Sequence, residues 1–261
     1  PILFFADVCK CISQRAYIFM IRPLISVCIA TYNGEKFIVE QLKTILSQLT
    51  DFDEIIISDD HSSDCTLSLI RSFRDPRIKI YLNENDKGYT SNFENALKKA
   101  TGEIIFIADQ DDIWKKDKVD ISLNYLKKYD FIVSDACIID NSGNFMFESY
   151  IKQRNSYVSF WANVYKFSFL GCCYAFKRKI LDIAIPFPPN HKLCTHDNWI
   201  FLIAASSFSY KIIPEKLICY RRHLGNTSTG GLKNNTSLYF KMKYRIYLIW
   251  HLLKRKLEFR L

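Results

Sequence analysis

The sequence predicts an α/β fold with a mostly parallel central sheet flanked by helices and a helical tail at the C-terminus. Short apolar runs of strand length alternate with stretches whose apolar residues recur at helical spacing. The runs end in polar or acidic residues, as strands do where a parallel sheet turns its carboxyl edge to a ligand. The chain has 261 residues, 49% hydrophobic and 24% charged, enough for one large core or a domain with an appendage.

The pattern begins after an awkward N-terminus. Residues 1–22 are apolar in patches but interrupted by Asp7, Lys10 and Arg15. These charges break the run of about 20 apolar residues that a membrane span needs, and no signal peptide emerges, so the stretch reads as an extension, with the chain proper starting near Met20. Ile25 to Thr31 reads as a buried strand, and Tyr32-Asn33-Gly34 as a turn. Ile38, Leu42, Ile45, Leu46 and Leu49 line one face of a helix. Glu54 to Ser58 is the second strand, followed by Asp59, Asp60 and a helix capped by Ser62 or Ser63. Arg77 to Leu82 is the third strand. Phe93, Ala96, Leu97 and Ala100 mark the next helix, with Gly102 placed to stop it.

The fourth strand, Ile104 to Ala108, carries the chemistry. It ends in three carboxylates within four residues, Asp109, Asp111 and Asp112, with Trp114 beside them. Clustered acids at the end of a buried strand repel one another unless a cation sits between them. Carboxylates are hard oxygen ligands suited to Mg²⁺ or Mn²⁺ carrying a phosphate. A lone acidic turn would be only a solvated turn. Here a second acid pair follows an earlier strand, which favours a site.

The second half is more irregular. Phe131 to Asp135 is a short strand, and Asp140 to Gly143 a hairpin turn between Cys137-Ile-Ile139 and Phe145-Met-Phe147. Leu170 to Phe176 reads as a central strand. After the break at Pro186 to Pro189, His196-Asp197 opens an apolar helix, where an Asp can serve simply as a cap. Leu217 to Tyr220 is a strand. Arg221-Arg222-His223 and the Gly-rich stretch Gly225 to Gly231 then suit diphosphate binding and a lid, or else form an exposed basic turn. The tail, Tyr239 to Leu261, holds seven Lys or Arg against one Glu. It fits a helix in an anionic membrane interface, or equally one packed on the domain.

Composition narrows the function. A net charge of +9 asks for an anionic partner. The nine cysteines show no zinc spacing, and reduced thiols of a cytoplasmic protein are the natural reading. There is no Gly-x-Gly-x-x-Gly fingerprint and no Walker loop, so a nucleotide would be held by carboxylates and metal. A nucleotidyltransferase of related fold would usually show a Gly-rich loop after its first strand, and Tyr32-Asn33-Gly34-Glu35 does not supply one. A nucleic-acid-binding protein would explain the charge, but much of the excess is in the tail and the central acids repel phosphate.

Ser26 to Gly34, Ile57-Ser-Asp-Asp-His-Ser-Ser-Asp64, Asn85-Asp-Lys-Gly88 and Ala108-Asp-Gln-Asp-Asp-Ile-Trp114 resemble glycosyltransferase family 2 in order and spacing. The likeness is strong from Pro23 to Tyr129 and weaker to about Gly230. It is greatest to bacterial rhamnosyltransferases and related enzymes of surface-polysaccharide synthesis. The resemblance implies a GT-A, Rossmann-like fold with a nucleotide-sugar half (23–135), an acceptor half (136–232) and a basic C-terminal helix (233–261). It implies a nucleotide-diphosphate sugar donor, UDP- or dTDP-linked, a Mn²⁺ or Mg²⁺ ion and inversion at the anomeric carbon. The acceptor would be a saccharide or lipid-linked saccharide at the inner face of the cell membrane, and nucleic acid would be no partner. Thr31 and Tyr32 would line the base pocket, Asn33 would belong to the same nucleotide-sugar site, and Asp59 or Asp60 would accept from a pyrimidine N3–H. Lys87, Gly88, Asn92, Asp109, Gln110 and Trp114 would complete the donor site. Asp111 and Asp112 would hold the metal, with His223 a third ligand or a phosphate donor. Asp197 would be the general base and His196 the fallback.

Overall fold

The computed structural model describes residues 22–156, 158–223, 225–226 and 237–260. The extension before Arg22 and most of the Gly-rich stretch lie outside the described residues. The strands are β1 (Ile25–Thr31), β2 (Glu54–Asp59), β3 (Ile78–Leu82), β4 (Ile104–Asp109), β5 (Ile113–Trp114), β6 (Phe131–Ile139), β7 (Phe145–Phe147), β8 (Tyr174–Lys177) and β9 (Tyr210–Arg221). They form one sheet in the order β3-β2-β1-β4-β8-β6-β9-β5, with β7 paired to the edge of β6.

The first four strands pair in parallel throughout. β1 lies between β2 and β4, so Thr31 stands opposite Asp59 and Ala30 opposite Asp109. The apolar runs are continuous because these strands are buried on both faces. The register therefore gathers the polar ends of the three strands at one edge. Helices α1 (Ile38–Leu46), α2 (Thr66–Ser72) and α3 (Tyr89–Lys99) cross between the strands. α1 buries Ile38, Leu42 and Ile45, and its Gln41 amide donates to the Asp109 carbonyl at 2.8 Å.

The structure corrects several expectations. Neither Ser62 nor Ser63 caps α2. The helix starts at Thr66, and the Asp64 carboxylate takes the Thr66 amide at 3.0 Å, while Ser62 is drawn to Asp59. Gly102 does not end α3 in a left-handed cap. It lets the chain pass against β1, where its amide donates to Ser26 Oγ at 2.7 Å. A Cβ at Gly102 would lie 2.5 Å from the Ser26 nitrogen and 2.7 Å from the Ile25 carbonyl carbon. Gly102→Ala is therefore expected to cost about 1–3 kcal/mol, read as a lower urea midpoint. An unchanged midpoint would show that this joint yields freely.

Beyond α4 (Lys118–Leu126) the sheet becomes mixed. Phe131–Asp135 and Cys137–Ile139 are one nine-residue strand, β6, with register irregularities around Asp135, so the boundary drawn at 135/136 falls inside a strand. β6 runs parallel to β9 and antiparallel to β8. The hairpin at Asp140 forms as expected, closed by the Asp140 amide on the Asn144 carbonyl at 2.9 Å. Leu170 to Phe176 is not one strand. A 3₁₀ turn, Gly171–Cys173, precedes β8. Short helices α5 (Tyr150–Arg154) and α6 (Phe160–Tyr165) follow β7. After β8 come α7 (Arg178–Ala184) and α8 (His196–Ser207), and α9 (Leu238–Phe259) packs Leu248 and Leu252 inward.

Candidate active site

A cavity of about 540 Å³ opens at the carboxyl edge of the sheet. Both halves of the chain line it: Thr31, Tyr32, Asp60 and Asp109 to Asp111 from the parallel strands, Gly171, His196, Asp197 and Asn226 from the second half.

Asp59 and Asp60 part company here. Asp59 is fully buried and saturated: Oδ1 accepts the Ser62 amide, and Oδ2 accepts the Thr31 and Ser62 hydroxyls, each at 2.7 Å. It ties β1 to β2 and does not line the cavity. Asp60 does line it. The Asn83 side-chain amide holds its Oδ1 at 2.8 Å and the Gly88 backbone N–H holds its Oδ2 at 2.9 Å. Asn92 donates to the Thr31 carbonyl at 3.0 Å, which leaves its Oδ1 buried without a partner among the described residues, on the cavity wall. Gln110 clamps the strand ends: its side chain accepts from the Tyr32 amide at 2.9 Å and donates to the Tyr32 carbonyl at 3.0 Å. Lys87 is exposed on the cavity wall. Asn33 is a turn residue with φ of 46°, bonded to Ser62 and Ser63.

The three acids after β4 face different ways. Burial pushes the Asp109 carboxyl up to about 7, with Asp111 adding to the shift. Asp112 is driven well above the carboxylate range, by burial first and then by Asp111 and Asp109. Its Oδ1 accepts the Arg221 backbone N–H at 3.0 Å, while Oδ2 is buried with no partner among the described residues. Asp109, Asp112 and Cys172 place one ligand atom each within 4.8 Å of one another. Asp111 pairs instead with His223, 2.7 Å from its Nε2. The Gly225 amide donates to His223 Nδ1 at 3.1 Å, so the proton sits on Nε2 and is given to Asp111. Arg221 locks the turn: its Nε donates to the Asp111 carbonyl at 2.8 Å and its Nη2 pairs with Glu40 at 2.6 Å. That guanidinium is 3% exposed and committed to the fold, which removes it as a mobile phosphate ligand. Trp114 is also off the cavity wall, packed at 5.4 Å against the Phe106 ring.

At the other wall, Thr195 rather than Asp197 occupies the cap position of α8. Asp197 sits in the first turn, where its Oδ1 accepts the Thr195 hydroxyl and the Asn198 amide. His196 stacks on Phe93 with ring centroids 4.1 Å apart, and burial lowers its pKa, so the imidazole is neutral at pH 7. A Cβ on Gly171 would lie 2.8 Å from His196 Nε2, which explains a glycine there. Sequence reasoning missed Cys172 and Lys118. The Lys118 side chain is buried under the acids, donates to the Cys172 carbonyl at 3.4 Å and is pushed down to about 8 by burial.

A family model described as "Glycosyl transferase family 2" matches residues 26–183. A UDP-Glc:alpha-D-GlcNAc-diphosphoundecaprenol beta-1,3-glucosyltransferase of Escherichia coli is 28% identical over 80% of this chain and 81% of its own. A dTDP-rhamnosyl transferase of Shigella flexneri is 30% identical over 83% of this chain and 76% of its own. The S. aureus TarS structure with UDP-GlcNAc superposes with a TM-score of 0.64 at 19% identity, covering 90% of this chain and 73% of that one.

Proposed function

The chain belongs to glycosyltransferase family 2, with the GT-A fold, and we propose that it is an inverting, metal-dependent enzyme. On this reading it moves a sugar from a UDP- or dTDP-linked donor to a hydroxyl of a saccharide or lipid-linked saccharide in surface-polysaccharide synthesis. The observation that carries the proposal is one cavity lined both by the strand-end acids Asp109 and Asp111 and by Asp197 from the second half of the chain.

Thr31, Tyr32 and Asp60 would take the nucleoside. We favour Asp60 over Asp59 for the base N3–H, because only Asp60 reaches the cavity. A carboxylate oxygen can accept a second donor through its remaining lone pair. Asn92, with its unused oxygen, would meet a ribose hydroxyl, and Lys87 and Gly88 would flank the diphosphate.

The acid cluster fits a divalent cation. Asp109 and Asp112 are raised by burial first and then by their acidic neighbours, and the Asp112 oxygen has no other partner among the described residues. Asp111 and Asp112 would hold Mn²⁺ or Mg²⁺, with His223 Nε2–H orienting Asp111 and Asp109 completing the acid wall. The neighbouring Cys172 thiol is raised by Cys173 and burial, and a protonated thiol suits a hard cation poorly. When bound, the cation neutralises the leaving diphosphate.

Asp197 would receive the acceptor proton as the acceptor oxygen bonds to the anomeric carbon and the carbon–diphosphate bond breaks. His196, neutral, would orient the acceptor. Such a reaction belongs on the cytoplasmic side of the cell membrane. Free thiols among the described residues support that placement. No helix among the described residues is long and apolar enough to cross a membrane.

The test is thermal stabilisation by UDP-, dTDP- and GDP-sugars with and without Mn²⁺, beside product formation. A pyrimidine donor at a hundredfold excess over its Kd should raise Tm by about 5 °C or more, and Asp60→Asn should remove most of that rise. Retardation of RNA or DNA with no response to any nucleotide sugar would sink the proposal.

A further inference from the structure

We propose that the outward face of α9 seats this protein on an anionic lipid bilayer, one helix away from the turn that carries Asp197. The meaning of that distance rests on the glycosyltransferase reading. The surface itself is argued from the helix alone.

α9 is apolar on two opposite faces. The inward face holds the helix to the domain. Leu248 and Leu252 are buried there, and the Tyr247 hydroxyl accepts the Asn190 amide at 2.9 Å. Arg255 donates to the Pro186 carbonyl at 2.6 Å and lies over the Trp199 ring. The anchoring is specific and occupies this face fully.

On the outward face Tyr239, Met242, Ile246, Trp250, Leu253 and Leu257 follow one another at steps of three and four. At 100° per residue they fall within about 40° either side of Ile246. Their exposures are 75, 53, 64, 56, 57 and 81%, so nothing in the chain's described residues covers them. A continuous apolar stripe of this length marks an interaction surface. Bases border it on both sides, Lys243 and Lys254 along one edge, Arg245 and Lys256 along the other. Within α9 the only acid is Glu258, already paired with Arg255 at 3.3 Å.

The charge pattern selects the occupant. A second copy seated on this stripe would set basic edges against basic edges. An anionic bilayer instead takes the apolar stripe at its headgroup boundary, with Trp and Tyr in the interfacial layer and lysines meeting lipid phosphate. Lying flat, the 22-residue helix would cover about 33 Å of membrane surface.

The inward face links this surface to the site. The Tyr244 hydroxyl accepts from the Asn198 side chain at 3.4 Å, and Asn198 follows Asp197 in α8. Packed helices lie about 8–10 Å apart, axis to axis. A bilayer against α9 would therefore bring its headgroups close to the Asp197 turn, where an acceptor anchored by a lipid could enter without leaving the membrane.

The experiment is co-sedimentation of the whole chain with phosphatidylglycerol/phosphatidylcholine vesicles. Binding should fall at least about tenfold on pure phosphatidylcholine vesicles or in Ile246→Asp, and should weaken with salt. Lys243→Glu with Lys254→Glu leaves the apolar stripe intact and should show the same loss, which guards against a misfolded Ile246→Asp. Donor-induced thermal stabilisation should persist in each variant. Undiminished vesicle binding by both variants would overturn the proposal. So would a wild-type dimer that Ile246→Asp dissociates, because the stripe would then be a self-interface. Vesicle binding without any nucleotide-sugar response would retain the surface and remove the glycosyltransferase reading.

Discussion

Asp197→Asn is expected to lower turnover about 10²-fold or more while leaving nucleotide-sugar affinity near normal. The carboxylate lies in the first turn of α8, on the cavity wall contributed by the second half of the chain. An inverting displacement needs its base on the face away from the leaving diphosphate, hence on a segment other than the one carrying the acids. The substitution is close to isosteric. The Asn oxygen can still accept the Thr195 hydroxyl and the Asn198 amide, which are the contacts Asp197 Oδ1 makes now. Folding should survive, and the amide cannot take a proton at neutral pH.

Donor affinity by calorimetry and product formation by chromatography on the same variant decide the matter. A loss smaller than about threefold would reduce Asp197 to a helix-turn residue, against the 10²–10⁴ expected of a general base. Attention would then pass to His196, which is buried beside it with Nδ1 unpartnered among the described residues. His196→Gln should affect acceptor use before donor binding, because His196 adjoins Asp197 on the cavity wall contributed by the second half of the chain.

The donor half was legible because its strands are buried on both faces. Continuous apolar runs mark such strands, and their ends must fall at one edge of a parallel sheet, so Thr31, Asp60 and Asp109 could be found from sequence alone. Which of two adjacent acids faces the cavity could not. Neighbouring residues at a strand end point to opposite sides, and only the contacts with Thr31 and Ser62 show that Asp59 turns inward. The pairing of His223 with Asp111, and of Arg221 with Glu40, was equally hidden. Both depend on β9 lying beside β5 and β6, a strand order that local pattern does not encode. Nothing in the local pattern marks Lys118, since its burial comes from Trp114 and the 3₁₀ turn at Cys172 packing over it. The tail's place was hidden for a related reason: it has apolar residues on two opposite faces, and only the structure shows that Leu248 and Leu252 are the ones turned to the domain.

Chelation with EDTA is expected to abolish transfer, and added Mn²⁺ to restore it. At neutral pH the cluster of Asp109, Asp111 and Asp112 is held together at a cost, with Asp109 pushed up to about 7 and Asp112 driven well above the usual carboxylate range, chiefly by burial. A divalent cation relieves the repulsion among these carboxylates. Asp112→Asn isolates that function. Its Oδ1 can still accept the Arg221 amide, so the bond that joins the acid turn to β9 persists. The unpartnered carboxylate oxygen, however, becomes half of a neutral amide. The variant should stay folded, lose Mn²⁺-dependent donor binding and fall at least about 10²-fold in turnover, because one charged ligand of a small cation site is gone. Two measurements separate metal from chemistry: water-proton relaxation of Mn²⁺ titrated with protein, and UDP affinity with and without the ion. Undiminished Mn²⁺ binding in Asp112→Asn would move the ion outward to Asp111 and His223, and full turnover of the wild type in chelator would remove the metal from this enzyme's mechanism.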